Sequence, residues 1–527
     1  MGWLSMPETE GSESGVVILP PVGYPYLCAH HTLRVLGESL ARQGHTVLRV
    51  DYDGTGDSAG DQWDPDRIAA WRDTARLAVE ELRKIGCRRI TLIGTRLGGT
   101  FALLDGGSLH AERIVAWAPV VSGRRYAKEL RMMSTPVPAE HDSLDPQGTI
   151  VSAGNVFSAQ TLDELRALAI SSLSIPPAAL TLIVDDPAGS AASAVEHLQS
   201  IGARVEHVRL SGGDAALETP AEFAIVPEAI LDAICAFVGT AEPAGVAAPS
   251  ISRSARLNWR DGVVTEELTT LEPHGQQAIV TSPPDPEPHQ VTLVLLNPGS
   301  ETHVGPGRAW VEYARSLALL GHRTVRVDWR GWGESPDDGR APGRPYDPEG
   351  EQDTEEIVHA LHELGHQRLV LSGLCASSWI ALRAVLHVPV AGVIALNPQL
   401  YWQPGHPIEI DVDTDRRLRA AEIHRHELGA RWHIWSPLDA LGVRPAGGRW
   451  LDSLAATRVP ITMLFAEGDD GIVFLRTRLA RRITRVQRSG TIRVTEVPGI
   501  DHPMHRVWLR PRMLQALHQA LIEIESY

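Results

Sequence analysis

The 527-residue chain has only four cysteines, Cys28, Cys87, Cys235 and Cys375, scattered without paired or metal-like spacing. That excludes a disulfide framework and a thiolate metal site, and it fits free thiols in a reducing compartment. No uncharged apolar stretch approaches the ~18 residues a bilayer-spanning helix needs, so no membrane partner is expected. No long basic run offsets a formal net charge of −16, which argues against nucleic acid or an acidic membrane surface as partner. Met1 to Gly15 has no basic segment followed by an apolar core; no secretory signal is expected, and the expected location is the cytoplasm. The remainder, 43% hydrophobic and 22% charged, is ordinary for globular protein, but the chain is too long for one core.

What the chain does contain is a repeat. Near the start, the buried-strand run Val16-Val17-Ile18-Leu19 ends in Pro20-Pro21-Val22-Gly23. A helical pattern follows, and then Gly44-His45-Thr46-Val47-Leu48-Arg49-Val50-Asp51 leads into Gly54-Thr55-Gly56-Asp57-Ser58. The second half gives Leu293-Val294-Leu295-Leu296, Asn297-Pro298-Gly299, a helical pattern, and Gly321-His322-Arg323-Thr324-Val325-Arg326-Val327-Asp328 leading into Gly331-Trp332-Gly333-Glu334-Ser335. The next helix also repeats: Ala75, Ala78, Val79 and Leu82 form one apolar stripe, and Ile357, Ala360, Leu361 and Leu364 the other. Strands alternating with helices predict α/β architecture with mostly parallel sheets and helices on both faces. The expected division is a first domain over 1–240, an Ala/Pro/Gly/Ser-rich linker over 241–255, and a second domain over 256–527. A leading hairpin, Gly262–Thr265 with Gln277–Thr281, is expected in the second copy alone. Irregular, helix-compatible insertions over 120–178 and 400–458 read as caps over the carboxyl edges of the sheets, where open α/β sheets bind ligands.

The chemistry is concentrated after the strand Arg368-Leu369-Val370-Leu371. There Gly373-Leu374-Cys375-Ala376-Ser377 precedes a helical stretch, the setting of a nucleophile on a tight strand-to-helix turn, with Cys in place of Ser and Ser377 in place of the second glycine. Such a site needs an imidazole base and a carboxylate that orients it, in the order nucleophile, acid, histidine. Downstream strands run into Glu467-Gly468-Asp469-Asp470 and Gly499-Ile500-Asp501-His502. The expected triad is Cys375, His502 and Asp470, with Asp469 as second choice for the acid. Backbone N–H groups of Ala376 and of Gly299 or Ser300 are the expected oxyanion donors. The first copy keeps the frame without the chemistry: Arg96 stands at the turn, Asp186 at the acid position and Ala215 at the base position. Arginine is no nucleophile, so the first copy is expected to be inactive.

These motifs resemble two fused α/β-hydrolases of the serine-aminopeptidase-like group, similar to the hydrolases associated with exosortase systems, which also occur in bacterial biosynthetic gene clusters. The resemblance rests on Pro20-Pro21-Val22-Gly23-Tyr24 and Asp51 to Ser58 in the first copy. In the second it rests on Thr302-His303-Val304-Gly305-Pro306-Gly307-Arg308 and Asp328 to Ser335. It implies two tandem α/β-hydrolase domains, the second an acyl-processing enzyme needing no cofactor or metal. A thiolate attacks thioesters, lactones and activated esters, and its acyl-enzyme is itself a thioester, so hydrolysis and acyl transfer are both open. The expected partner is a small-molecule, peptide or carrier-protein-bound acyl substrate; the oligomeric state is not readable.

Other readings stand beside this one. Both copies could be binding or scaffold modules, or His502 could serve a lyase or isomerase without covalent catalysis. His362-Glu363-Leu364-Gly365-His366 matches His-Glu-x-x-His, but Gly365 sits at a helix end, which takes the two histidines off one helical face. Asp51 and Asp328 are expected to brace loops, and His424, His426 and His433 lie in the second insertion.

Overall fold

The computed structural model describes all residues except 9–10, 139–147, 247–248, 250, 286–289, 300, 338, 340–345, 347 and 401–446. The second insertion, 400–458, with its three histidines, therefore lies largely outside the described residues. The chain divides into two compact units, Met1–Gly262 with Pro306–Val311, and Val263–Gly305 with Glu312–Tyr527. No described helix is long and apolar enough to cross a membrane.

In the first unit, β1 (Gly2–Ser5), β2 (Ser14–Leu19), β3 (Thr46–Val50), β4 (Arg89–Thr95) and β5 (Arg113–Trp117) lead through the insertion, with its short strands β6 (Thr135–Pro136), β7 (Ile150–Ser152) and β8 (Asn155–Phe157), to β9 (Leu180–Asp185) and β10 (Val205–Arg209). Seven of them form one sheet ordered β1-β3-β2-β4-β5-β9-β10. All its pairings are parallel except β1 with β3. In the second half, β11 (Ser254–Trp259), β12 (Gly262–Leu271), β13 (Gln276–Ser282), β14 (Thr292–Leu295), β15 (Arg323–Val327), β16 (Leu369–Leu374), β17 (Gly392–Leu396), β18 (Ile461–Ala466) and β19 (Ile492–Val497) form a nine-stranded sheet ordered β11-β12-β13-β15-β14-β16-β17-β18-β19. The pairs from β15 to β19 are parallel, and β13 is antiparallel to both β12 and β15. Both sheets are α/β architecture with parallel pairings dominant.

The central strands are continuous apolar runs because helices cover both faces; β2, β14, β16 and β18 are buried along their whole lengths. The helix stripes pack as the spacing requires: Ala75, Ala78, Val79 and Leu82 are buried, as are Ile357, Ala360 and Leu361. Leu364 departs from this and is exposed, because its helix ends at Glu363 and Gly365, at φ 94°, has already turned the chain.

Among the described residues the first sheet has no leading hairpin; its edge carries the single strand β1, antiparallel to β3, which at four residues is too short to carry an alternation pattern. One further expectation is corrected. The insertion over 120–178 is not irregular and helical alone, since β6, β7 and β8 make an antiparallel sheet within it.

In both sheets the chain reverses its direction of travel between two neighbouring strands, β2 and β4 in one, β14 and β16 in the other. A crevice opens at the carboxyl ends of the strands at such a point, and ligands bind there. In the second unit the segments leaving these two strands carry Gly299 and Cys375.

A buried charge cluster ties the edge of the second sheet together. Glu266 on β12 accepts hydrogen bonds from Arg315 at 2.8 and 3.0 Å, from Arg326 on β15 at 3.1 Å and from Thr281 on β13 at 3.1 Å. All four side chains are buried, and the carboxylate compensates guanidinium charge that burial alone would make costly.

Candidate active site

Cys375 lies between β16 and the helix Ala376–Ala384 with φ 59° and ψ −110°, a backbone region that non-glycine residues rarely adopt. Its N–H donates to the Leu396 carbonyl at the end of β17 at 2.9 Å, which fixes the turn against the sheet. Gly373 is required here, because a Cβ on it would collide with Ser377. Ser377 replaces the usual glycine without distortion: its buried hydroxyl accepts from the Leu374 N–H at 2.9 Å and lies 3.1 Å from the Leu374 carbonyl, closing the turn with its own side chain. Cys375 is half-buried, whereas Cys28, Cys87 and Cys235 are buried, and burial raises the thiol pKa of Cys87 and Cys235.

The imidazole arrives on the loop after β19. His502 Nδ1 lies 2.5 Å from Asp469 Oδ2, and Cys375 is near enough to the ring to act on its pKa. Since Nδ1 is occupied by the carboxylate, Nε2 is the nitrogen left for sulfur. Burial pulls the His502 pKa down, but the hydrogen bonds and negative charge of Asp469 and Cys375 outweigh it and push it up to about 10.

The carboxylate facing His502 is therefore Asp469, not Asp470. Asp469 caps the helix Asp470–Arg478, its Oδ1 accepting from the Gly471 N–H at 2.8 Å, and this turns the buried side chain toward the site. Asp470, the first helical residue, is exposed. Two adjacent aspartates at a strand end cannot be ranked by order in the chain; the capping geometry separates them.

The Ala376 amide opens the helix at the turn, and Ala376 is fully buried. Gly299 follows β14 at φ 59°, and a Cβ built on it would meet nothing within 4 Å, so open space borders this backbone. Ser300 lies outside the described residues. The loop between them and the sheet is braced by Asp328, which accepts from Asn297 Nδ2 at 2.8 Å and the His303 N–H at 2.7 Å, and pairs with His303 Nδ1 at 2.5 Å. Asp51 in the first unit braces likewise, accepting from Tyr26 Oη at 2.7 Å and the Asp57 N–H at 3.0 Å.

Three residues that pattern reading passes over border the site. Asn397, immediately after β17, donates to the His502 carbonyl at 2.8 Å and accepts from the Ala466 N–H at 2.6 Å, tying the histidine loop to the acid's strand. Tyr346 Oη lies 3.3 Å from Cys375 Sγ and donates to Gln399 Oε1 at 2.9 Å. No motif marks these positions; only the juxtaposition of strand ends brings them together.

The first unit repeats the turn. Arg96 has φ 53° and ψ −116°, and its N–H donates to the Trp117 carbonyl at 2.9 Å. Asp186 accepts from the Ala188 N–H at 2.9 Å, and Ala215 lies inside the short helix Gly213–Leu217. Arg96 forms no ion pair with Asp186 among the described residues. None of the three positions offers a nucleophile or an imidazole.

The His-Glu-x-x-His run is structural: His362 Nδ1 lies 2.8 Å from the His366 carbonyl and His366 Nδ1 lies 3.2 Å from Thr292 Oγ1. Burial lowers the His366 pKa to about 4. Glu351, Glu355 and His387 come together elsewhere, but Arg383 already occupies Glu351 at 2.6 Å.

No protein-family model matches the chain, and no curated protein matches it by sequence. Among solved structures it is similar to Est1E from Butyrivibrio proteoclasticus, seen with ferulic acid bound (17% identity, TM-score 0.34, 45% of this chain and 93% of that one). It is also similar to XC6422 from Xanthomonas campestris, described as an α/β serine hydrolase without a lid (18%, 0.30, 49% and 93%). A third is the thioesterase domain from the curacin biosynthetic pathway (19%, 0.31, 49% and 99%).

Proposed function

We propose that the second unit is an acyl-processing enzyme working through Cys375, His502 and Asp469, and that the first unit is a non-catalytic partner fold. The observation that carries this reading is a cysteine on a strained turn beside an imidazole that a buried carboxylate holds. His502 takes the thiol proton. The sulfur attacks the acyl carbon, and the carbonyl electron pair moves onto oxygen, where the Ala376 N–H and an N–H near Gly299 receive it; such donors contribute about 3–4 kcal/mol each. Collapse of the adduct expels the leaving group, which takes the proton back from His502. Water, an amine or an alcohol, giving its proton to His502, then attacks the thioester carbonyl; the S–C bond breaks and the sulfur takes the proton back from His502. Thioesters and activated esters are the substrate class, the acyl group being free or borne on a carrier protein or peptide, and a cytoplasmic biosynthetic setting suits them.

The test is intact-mass analysis after incubation with acyl thioesters. The expected result is an acyl adduct on Cys375 that disappears in Cys375→Ala together with turnover. Full turnover in Cys375→Ala rejects covalent catalysis by this sulfur.

A further inference from the structure

The sulfur of Cys375 has a neighbour besides His502, and this one is within hydrogen-bonding distance. Tyr346 comes from a different segment, just before the helix Pro348–Glu363. Its ring is buried and packs edge-on against Trp379 at 5.7 Å between centroids. Its backbone sits at φ 67°, a conformation uncommon for a bulky residue and one that surroundings must hold in place. The hydroxyl lies 3.3 Å from Cys375 Sγ and 2.9 Å from Gln399 Oε1.

We infer that Tyr346 is a further catalytic residue, whose O–H first holds negative charge on Cys375 Sγ and then passes that hydrogen bond to the carbonyl oxygen of the attacked acyl group. This rests on the nucleophile reading above. A phenol has one proton and can also accept. While Cys375 is a thiol, the proton goes to Gln399 Oε1 and the phenol oxygen faces the S–H. When His502 has taken the thiol proton, the tyrosine proton turns to the sulfur, and the amide of Gln399 can offer its Nε2–H to the oxygen. As the S–C bond forms, the sulfur lone pair enters that bond and the carbonyl π pair becomes an oxyanion beside it. The tyrosine proton then has a better acceptor one atom away. No proton leaves Tyr346 at any step; the one transferred from sulfur travels through His502 to the leaving group. The hydroxyl thus follows the charge from sulfur to oxygen, stabilising both states between which the reaction moves.

Tyr346→Phe removes the oxygen and keeps the ring contact with Trp379, and its melting temperature checks that the fold survives. With p-nitrophenyl acetate and an N-acetylcysteamine thioester as probes, kcat is expected to fall on the order of 10–100-fold with KM within about threefold. Independently of turnover, the thiolate ultraviolet absorbance at pH 7, taken as wild type minus Cys375→Ala, is expected to fall at least about twofold in Tyr346→Phe. Gln399→Leu, which removes the competing acceptor, is expected to keep or raise that signal. A folded Tyr346→Phe with unchanged thiolate signal and unchanged turnover overturns the assignment while leaving the role of Cys375 intact; so does a lower thiolate signal in Gln399→Leu. Turnover that survives in Cys375→Ala overturns the nucleophile reading instead.

Discussion

Replacing Asp469 by asparagine while leaving Asp470 untouched separates two neighbours that the sequence presents as equals. The Asp469 carboxylate is buried, with 2% of its side chain exposed, and stands 2.5 Å from His502 Nδ1. It is one of the two groups that hold the His502 pKa at about 10, against an ordinary value of 6.5. The raising causes are the hydrogen bonds and negative charge of Asp469 and Cys375, so the value belongs to the ring facing an ionised sulfur, the state reached once the thiol proton has moved to it. A ring at its ordinary value would be protonated at pH 7 in only about a quarter of molecules. An amide in place of the carboxylate loses the charge and can also turn its N–H toward Nδ1, which puts the ring proton on Nε2, where the thiol proton must go. A change of this kind in a nucleophile–histidine–carboxylate triad costs on the order of 10⁴ in turnover; we expect about 10²–10⁴ in kcat/KM for Asp469→Asn and less than about twofold for Asp470→Asn. Because the folded-state value is raised, the pair's contribution to stability is fully present below pH 6.5 and fades as pH rises through about 10. Asp469→Asn should therefore move the alkaline loss of stability to lower pH. NMR titration of the His502 ring, followed alongside kcat/KM, reads both effects. Equal losses in Asp469→Asn and Asp470→Asn, or a wild-type ring titrating near 6.5, would refute the reasoning.

Three other outcomes follow from the packing. Glu266→Ala leaves Arg315 and Arg326 buried without their shared carboxylate and should lower stability by about 3–5 kcal/mol in urea titration. Gly373→Ala drives a Cβ into Ser377; it should destabilise by more than about 1 kcal/mol and reduce Cys375 reactivity by displacing the turn. Iodoacetamide should modify Cys375 well before Cys28, Cys87 and Cys235, which are buried; peptide mapping that finds another thiol labelled first would contradict the site's accessibility.

Much of the architecture was legible because it is written in periods. The apolar runs of β2, β14 and β16 and the stripes Ala75–Leu82 and Ile357–Leu361 follow from burial on a sheet covered by helices. The repeat made two units visible where one copy alone would have been ambiguous. β1 was not legible, since four half-buried residues carry no alternation. The strands within the first insertion were missed for the same reason. At the site, the order of Cys375, acid and His502 could be read, but the choice of Asp469 depends on which side chain caps a helix. Tyr346 lies in one connection and Asn397 and Gln399 in another, and no spacing in the chain relates any of them to Cys375. Contacts of that kind arise from the crossing of strand ends, which sequence distance does not encode.

Arg96 and Cys375 share nearly the same backbone angles although only one carries a group able to attack carbon. The cramped bend is therefore a property of how a buried strand hands over to a buried helix, held by an amide reaching across to the neighbouring strand in each case. An arginine and a cysteine occupy it with nearly the same main chain, so exchanging one side chain for the other would need no rebuilding of the backbone there. The contorted turn says where a reactive atom could be mounted; the side chain alone says whether one is.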